Sequence, residues 1–306
     1  MDYFSVIIDN NVWNLFIAFY NSYRHYEHQT PLKVYVVGAL DSDRLEKLQT
    51  LCYTIVDPLL RKPSSWHKFQ IKYVALQIYC ADKEIILDVD TIFLNNLDWL
   101  FDCLDESKMI VAYETHASIA PGLYYDTSIW LENHSRAKLE LQDILRANDL
   151  YWPSNQEHVF RGYNGGFVGI TKNHLHLVNQ LLTVLNSSWN CAICNNNEQY
   201  ALTTLINVLQ IPVHELPQET FMNTWERHGI KKEITVESGK FVVYQDSNQR
   251  LNFYHFTGGV SLKNSNGQEV KWSHLTIKDI EARQLWLEKY NNPVILLYYY
   301  FLSQGL

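Results

Sequence analysis

The sequence predicts a doubly wound, mostly parallel α/β fold, and three observations carry that expectation. Short β-prone runs alternate with amphipathic stretches through the N-terminal part of the chain, the order that lays parallel strands beneath crossover helices. Ile85, Ile86 and Leu87 then form an unbroken apolar run, the composition of a strand buried on both faces. That run meets Asp88 and Asp90 where it emerges, at the carboxyl end where open α/β sheets bind ligands. Two carboxylates there are costly to bury unless a cation neutralises them, so a divalent metal is the economical explanation. An Asp-x-Asp triplet by itself is also common in proteins that bind no metal.

In chain order, Tyr3 to Ile8 reads as the first strand, closed by the polar turn Asp9, Asn10 and Asn11. A helix follows from Val12 to about Tyr26, with Leu15, Phe19 and Tyr23 at helical spacing. After Pro31, Leu32 to Val37 reads as a second strand. Asp41 then caps a helix in which Leu45, Leu48 and Leu51 share a face. Thr54 to Val56 is a short third strand, and Pro58 and Pro63 mark a loop before a helix from about Ser64 to Cys80. The buried strand ending at Asp88 comes next, then a short helix over Leu97 to Leu104 and a strand over Met109 to Tyr113. The stretch from about Pro121 to Trp152 is mixed and partly helical. In Phe160 to Ile170, Asn164, Gly165 and Gly166 interrupt an apolar strand, which means a bulge or a close backbone approach. Leu175 to Leu185 and Glu198 to Leu209 are amphipathic helices, and Glu198 in a first turn suits the helix dipole whatever else it does. Val242 to Tyr244 and Phe253 to Phe256 are late strands, and Ile277 to Lys289 is helical. The apolar run Val294 to Leu302 is too short to span a bilayer; it packs on the core, pairs with a second subunit or lies at a membrane surface.

The composition is that of a globular chain: 306 residues, 47% hydrophobic and 19% charged, with 12 Gly and 8 Pro, which disfavours disorder. A net charge of -8 and the lack of any long Lys/Arg run disfavour a nucleic-acid partner. The N-terminus has no basic segment of a secretory signal, and five cysteines are an odd number, so the sequence predicts a cytoplasmic protein with free thiols, or one peripheral to a membrane. Cys191 and Cys194, with His174 and His176 upstream, lack the spacing of a structural zinc site. The 20 Tyr and 9 Trp are mainly core, though flat rings also suit the apolar faces of sugars.

Four separated motifs then line up in order, with a lysine ahead of the first. Asp88-Val89-Asp90-Thr91 opens DVDTIFLNNLDWLF; Lys72 stands sixteen positions before Asp88; Tyr163-Asn164-Gly165-Gly166-Phe167 and Glu198-Gln199 follow; His255-Phe256-Thr257-Gly258 comes last. Together they resemble the motifs of the retaining glycosyltransferases of family 8, the glycogenin and bacterial lipopolysaccharide galactosyltransferase group with a GT-A fold, over roughly residues 3 to 262. The resemblance implies a GT-A nucleotide-diphospho-sugar transferase domain over 1–262 and a C-terminal extension over 263–306. The implied activity moves a hexose from a UDP-sugar to a glycan, lipid-linked or protein hydroxyl with retention. Asp88, Asp90 and His255 would hold Mn²⁺ or Mg²⁺ on the diphosphate, and an imidazole among oxygen ligands slightly favours Mn²⁺. Lys72 and Lys263 would reach the diphosphate, Asp9, Asn10 and Trp13 the base, and Asn164, Gly165 and Gly166 the sugar, with Val89 and Gly258 also at the donor. Glu198 or Gln199 would lie beneath the anomeric carbon, where oxocarbenium character develops.

Two departures stand out. The family's histidine motif continues to Lys-Pro-Trp, whereas Gly259 to Leu262 follow here and Lys263 falls two positions late. Glu198 stands where the family commonly has Asp. Read without the resemblance, Lys72 is a solvent-facing helix lysine and His255 a satisfied core histidine. Two other functions fit less well: a haloacid dehalogenase-type phosphatase using an aspartyl nucleophile in ILDVDTIF, and a non-catalytic sugar-nucleotide-binding or scaffolding protein.

Overall fold

The computed structural model describes residues 1–60, 70–113, 143, 146–147, 149, 162–187, 198–217, 220–223, 232–245, 249–256, 262–263, 269–270 and 294–306. The expected helix over Ile277 to Lys289, all but residues 143, 146–147 and 149 of the mixed stretch from Pro121 to Trp152, the Cys191 and Cys194 pair and Gly258 lie outside the described residues. So do the side chains of Glu198, Gln199 and Lys263, whose backbones are described.

In chain order the described elements begin β1 (Asp2–Ile8), α1 (Trp13–His25), β2 (Leu32–Val36), α2 (Ser42–Leu51) and β3 (Tyr53–Val56). They continue as α3 (Gln70–Tyr79), β4 (Lys83–Leu87), β5 (Thr91–Phe93), α4 (Leu100–Cys103), β6 (Met109–Tyr113) and β7 (Tyr163–Thr171). Then come α5 (Leu175–Ser187), α6 (Glu198–Val208), β8 (Val213–Leu216), β9 (Phe221–Asn223), β10 (Lys232–Glu237) and β11 (Lys240–Gln245). The last are β12 (Gln249–Arg250), β13 (Phe253–His255), β14 (Leu262–Lys263), β15 (Glu269–Val270) and α7 (Val294–Ser303). The alternation read from the sequence is thus present, with strands and helices of the N-terminal part within a few residues of their expected ends, save that the expected start of α3 near Ser64 lies outside the described residues. Seven strands form the main, mostly parallel sheet in the order β3-β2-β1-β4-β7-β6-β8.

The chain divides into two compact units, each discontinuous in sequence. The first comprises Met1–Ser5, Ile55–Ile86 and Phe101–Leu216. Here β6 pairs parallel with β8 and antiparallel with β7, while α3 packs on α5 and α6 on β7. Ile85 and Ile86 are fully buried, as an uninterrupted apolar strand requires. Between β6 and β7 the ladder jumps from Val111 opposite Val168 to Ala112 opposite Asn164, so Gly165, Gly166 and Phe167 form the expected irregularity. Gly169 beyond it is held by close packing: a Cβ there would lie 2.9 Å from the Ile110 Cβ.

The second unit comprises Val6–Thr54, Leu87–Leu100 and Pro217–Leu306. The chain after Asp90 does not prolong β4. Asp88 to Asp90 form a bend, and Ile92 and Phe93 enter a separate three-stranded sheet, β5-β13-β9. Phe93 is the hub of that sheet's core, with ring centroids 5.4 Å from Phe19, 5.9 Å from Tyr23 and 5.7 Å from Phe253. The hairpin β10-β11 turns through Ser238 and Gly239, both at positive φ (51° and 79°), the backbone of a two-residue turn that matches strand twist. The apolar run Val294 to Leu302 is helix α7, which packs on α1 and leaves only Leu296 and Tyr300 among its large apolar side chains exposed. Among the described residues no helix is long and apolar enough to cross a membrane.

Candidate metal centre

Three short pieces of backbone bring the predicted ligands together. The β5-β13 ladder sets Thr91 opposite His255, and one step further the Phe256 amide donates to the Asp90 carbonyl at 2.8 Å. The bend itself is braced by the buried Thr91, whose Oγ1 donates to the Asp88 carbonyl at 2.6 Å. His255, the last residue of β13, also sits opposite Asn223 of the parallel strand β9. Register on two sides therefore fixes where its imidazole stands.

The His255 Nε2 lies 3.2 Å from Asp90 Oδ1 and 3.6 Å from Asp88 Oδ2. All three ligand atoms fall within 4.8 Å of one another. Neighbouring ligands around a six-coordinate cation with bonds of about 2.1 Å lie about 3 Å apart, so the spacing suits one shared ion with little movement. Exposure divides the donors: the carboxylate side chains are 27% and 28% accessible and the imidazole 9%. A cation held here would be backed by His255 and reached through the open side of the two acids. Two carboxylate oxygens and one imidazole nitrogen form a donor set that accepts Mn²⁺ and, less readily, Mg²⁺. Val89 is the middle residue of the bend.

The other predicted residues sit as follows. Lys72 is buried in α3, not solvent-facing, and its Nζ donates to the Gly165 carbonyl at 2.6 Å. The lysine expected at a diphosphate and the glycine expected at a sugar are therefore in direct contact. Asn164 Oδ1 accepts the Gly166 amide at 2.8 Å, so that oxygen shapes the irregular strand. Asp9 caps a short turn, with Oδ1 accepting the amides of Asn11 at 2.8 Å and Val12 at 3.2 Å. Asn10 is tied to Asp41 by two bonds, Nδ2 to Oδ1 at 3.0 Å and the Asp41 amide to Oδ1 at 3.1 Å. Asp41 occupies the N-cap position of α2, yet its side chain makes no cap bond. Trp13 is 8% exposed, with the Arg44 guanidinium 5.4 Å above its ring. Arg44 also reaches the Asn10 carbonyl at 3.3 Å, and nothing in the sequence flagged it, because the link between α2 and the first turn is purely tertiary. Glu198 and Gln199 open α6, as the periodicity predicted. Lys263 belongs to the two-residue ladder with Glu269. Cys52, Cys80 and Cys103 are free thiols, and burial pushes the Cys52 thiol up to about 12.

No family model matches the chain, and no curated protein sequence matches it. Solved structures do resemble it. The apo structure of WbbM, a bifunctional glycosyltransferase, superposes with a TM-score of 0.51 at 13% identity over 94% of this chain and 51% of that one. Mouse xyloside xylosyltransferase 1, also apo, gives 0.49 at 16% identity over 88% of this chain and 99% of that one. The glycosyltransferase GlyE of Streptococcus pneumoniae TIGR4 gives 0.44 at 14% identity over 71% and 45%. This chain thus spans about half the length of WbbM and less than half of GlyE. At such identities the likeness is one of fold, and it is the WbbM superposition that carries it: a mixed α/β architecture of the GT-A kind.

Proposed function

We propose that the protein is a metal-dependent glycosyltransferase that moves a hexose from a UDP-sugar to an acceptor hydroxyl with retention of anomeric configuration. The observation that carries this is the Asp88, Asp90 and His255 group, convergent at the end of β4 and β13. A divalent cation bound there supplies charge neutralisation to a diphosphate leaving group. Asp88 and Asp90 would hold the cation from their accessible side, and the buried His255 would supply the third ligand behind it. In the transfer the bond from the sugar's anomeric carbon to the donor phosphate oxygen breaks. A bond from the acceptor oxygen forms, and the acceptor proton leaves with the phosphate. Lys72, whose ammonium donates to the Gly165 carbonyl, adds a positive charge for the diphosphate. Asn164 contributes by holding the glycine bulge open. Glu198 or Gln199 stabilises positive charge at the anomeric centre. We place the acceptor among glycans, lipid-linked glycans and proteins.

Slow release of UDP from UDP-glucose or UDP-galactose, dependent on Mn²⁺ and abolished in Asp90→Asn, is the expected result. Hydrolysis of a phosphate ester through a phosphorylated Asp88 would refute the transferase assignment. Tight UDP binding without turnover on any acceptor would instead indicate a scaffold.

A further inference from the structure

The C-terminal helix is joined to the metal centre through one residue. Phe256 follows the ligand His255 directly, and its amide bonds to the carbonyl of the ligand Asp90, so its position bears on both ligands at once. Its ring is 1% exposed and is held between Tyr254, centroids 4.9 Å apart, and Tyr298 of α7, 5.3 Å apart and inclined at 63°. Tyr298 is itself 1% exposed. It lies close enough to Asp90 for that carboxylate to help raise its hydroxyl pKa, after the larger effects of burial and of Tyr299. The helix that carries Tyr298 is fixed independently. Asn21 of α1 donates to the carbonyls of Phe301 at 2.9 Å and Gly305 at 2.7 Å, which answers part of the need of a helix C-terminus for donors. Phe301 meets His25 at 5.4 Å and Phe241 at 6.3 Å, and neither ring belongs to the ligand group.

We propose that Tyr298 is a positioning residue of the metal centre: its ring, carried by α7, seats Phe256 and thereby fixes the spacing of His255 from Asp90. The proposal rests on the metal-dependent function above. It assigns the C-terminal segment a part in building the site, which neither a core-packing nor an oligomer-forming role requires. Supporting residues of this kind typically change metal affinity by about ten- to a hundredfold when removed.

The test measures Mn²⁺ affinity from the electron paramagnetic resonance of the free ion, with melting temperature recorded in parallel for each variant. Five variants are compared with the wild type: Tyr298→Leu, Tyr298→Phe, Phe256→Leu, Phe301→Leu and Asp90→Asn. Tyr298→Leu is expected to weaken Mn²⁺ binding by about tenfold or more, while Tyr298→Phe keeps the ring and stays within about threefold of wild type. Phe301→Leu should lower the melting temperature without changing Mn²⁺ affinity. Phe256→Leu removes the other half of the contact and should match Tyr298→Leu, which covers the case in which the latter does not fold. Wild-type affinity in Tyr298→Leu, or an equal loss in Phe301→Leu, would overturn the positioning role while leaving the metal function intact. Wild-type protein that binds no Mn²⁺, or binds it unchanged in Asp90→Asn, would overturn both.

Discussion

Exchanging Asp90 for Asn should reverse its effect on stability according to whether metal is present. Without metal, Asp88 and Asp90 place two acids in a group whose ligand atoms all lie within 4.8 Å. Two unit charges at that distance repel by about 3.5 kcal/mol at an effective dielectric of 20 and by about 0.9 kcal/mol in water. Side chains more than a quarter accessible belong near the lower figure, so neutralising one acid relieves on the order of 1 kcal/mol. Asn keeps an oxygen in the same place, so the contact with His255 Nε2 survives the exchange. The metal-free variant should therefore melt at or up to about 2 °C above the wild type. With Mn²⁺ at a hundred times its Kd the wild type gains about 2.7 kcal/mol, a rise of about 4 °C for a chain of this size, because the ion binds the native state alone. Asn supplies a weaker, uncharged ligand, and the variant should gain less than about 1 °C. Differential scanning fluorimetry of both proteins with and without Mn²⁺ reads all four values. A variant that melts lower than wild type without metal, and rises with Mn²⁺ as wild type does, would refute both the shared site and the electrostatic reasoning.

Three further predictions follow from buried contacts. Lys72→Met removes a charged donor from the Gly165 carbonyl, and a hydrogen bond of that kind is worth about 1.5–3 kcal/mol. The variant should lose about that much stability in urea and bind UDP about tenfold more weakly by calorimetry; unchanged UDP affinity would remove Lys72 from the donor site. Gly169→Val places a Cβ 2.9 Å from that of Ile110, and overpacking of this sort costs about 1–3 kcal/mol, measurable as a lower urea midpoint with no change in slope. Burial holds His28 down to about 4, against the opposing pull of Asp98, while its Nε2 accepts the Leu97 amide at 3.1 Å. Because the folded pKa lies below the unfolded value of about 6.5, the stability this histidine provides is complete above pH 6.5 and is lost as the pH falls towards 4. His28→Gln should flatten that part of the pH-stability profile by on the order of 2 kcal/mol; an identical profile would show that the ring protonates without cost.

What the sequence disclosed and what it hid both have physical causes. The bulge was legible because two glycines inside an apolar strand have few other uses, and the ladder breaks beside Gly165 and Gly166 as expected. Asp88 and Asp90 were legible because charge after a buried run demands an explanation. His255 was not readable from its neighbours, since a lone histidine in FYHF looks the same whether it binds metal or fills a core; the resemblance alone singled it out. The strand β10 escaped because its alternation rests on Ile234 and Val236 alone, two apolar residues between Glu233, Thr235 and Glu237 on a strand that is barely buried, which is too short a signal to separate a strand from a polar loop. The conformation of α7 escaped for the opposite reason. A run that is apolar on every face has no periodicity to distinguish helix from strand. Lys72 departed from its residue-level expectation because a helix lysine becomes buried when a carbonyl lies within reach, and Gly165 lies far along the chain.

The bend at Asp88 to Asp90 explains how residues so distant in sequence come together in one group of candidate metal ligands. In a continuous strand, alternation would point Asp88, Asp90 and Ile92 to a single face, setting an apolar side chain beside two acids. Breaking the strand at the acids lets Thr91, Ile92 and Phe93 become fully buried in a second sheet while the carboxylates stay partly accessible. That second sheet ends at His255, so the same break that exposes the acids supplies the antiparallel partner carrying the third ligand. The ligand spacing is consequently set by the β5-β13 ladder and the aromatic cluster around Phe93 and Phe256, all of it inside one compact unit. Substitutions that loosen this ladder should therefore spread the ligands and weaken metal binding before they unfold the protein, whereas equally costly changes in the β6-β7 ladder, such as Gly169→Val, should lower stability and leave Mn²⁺ affinity as it was.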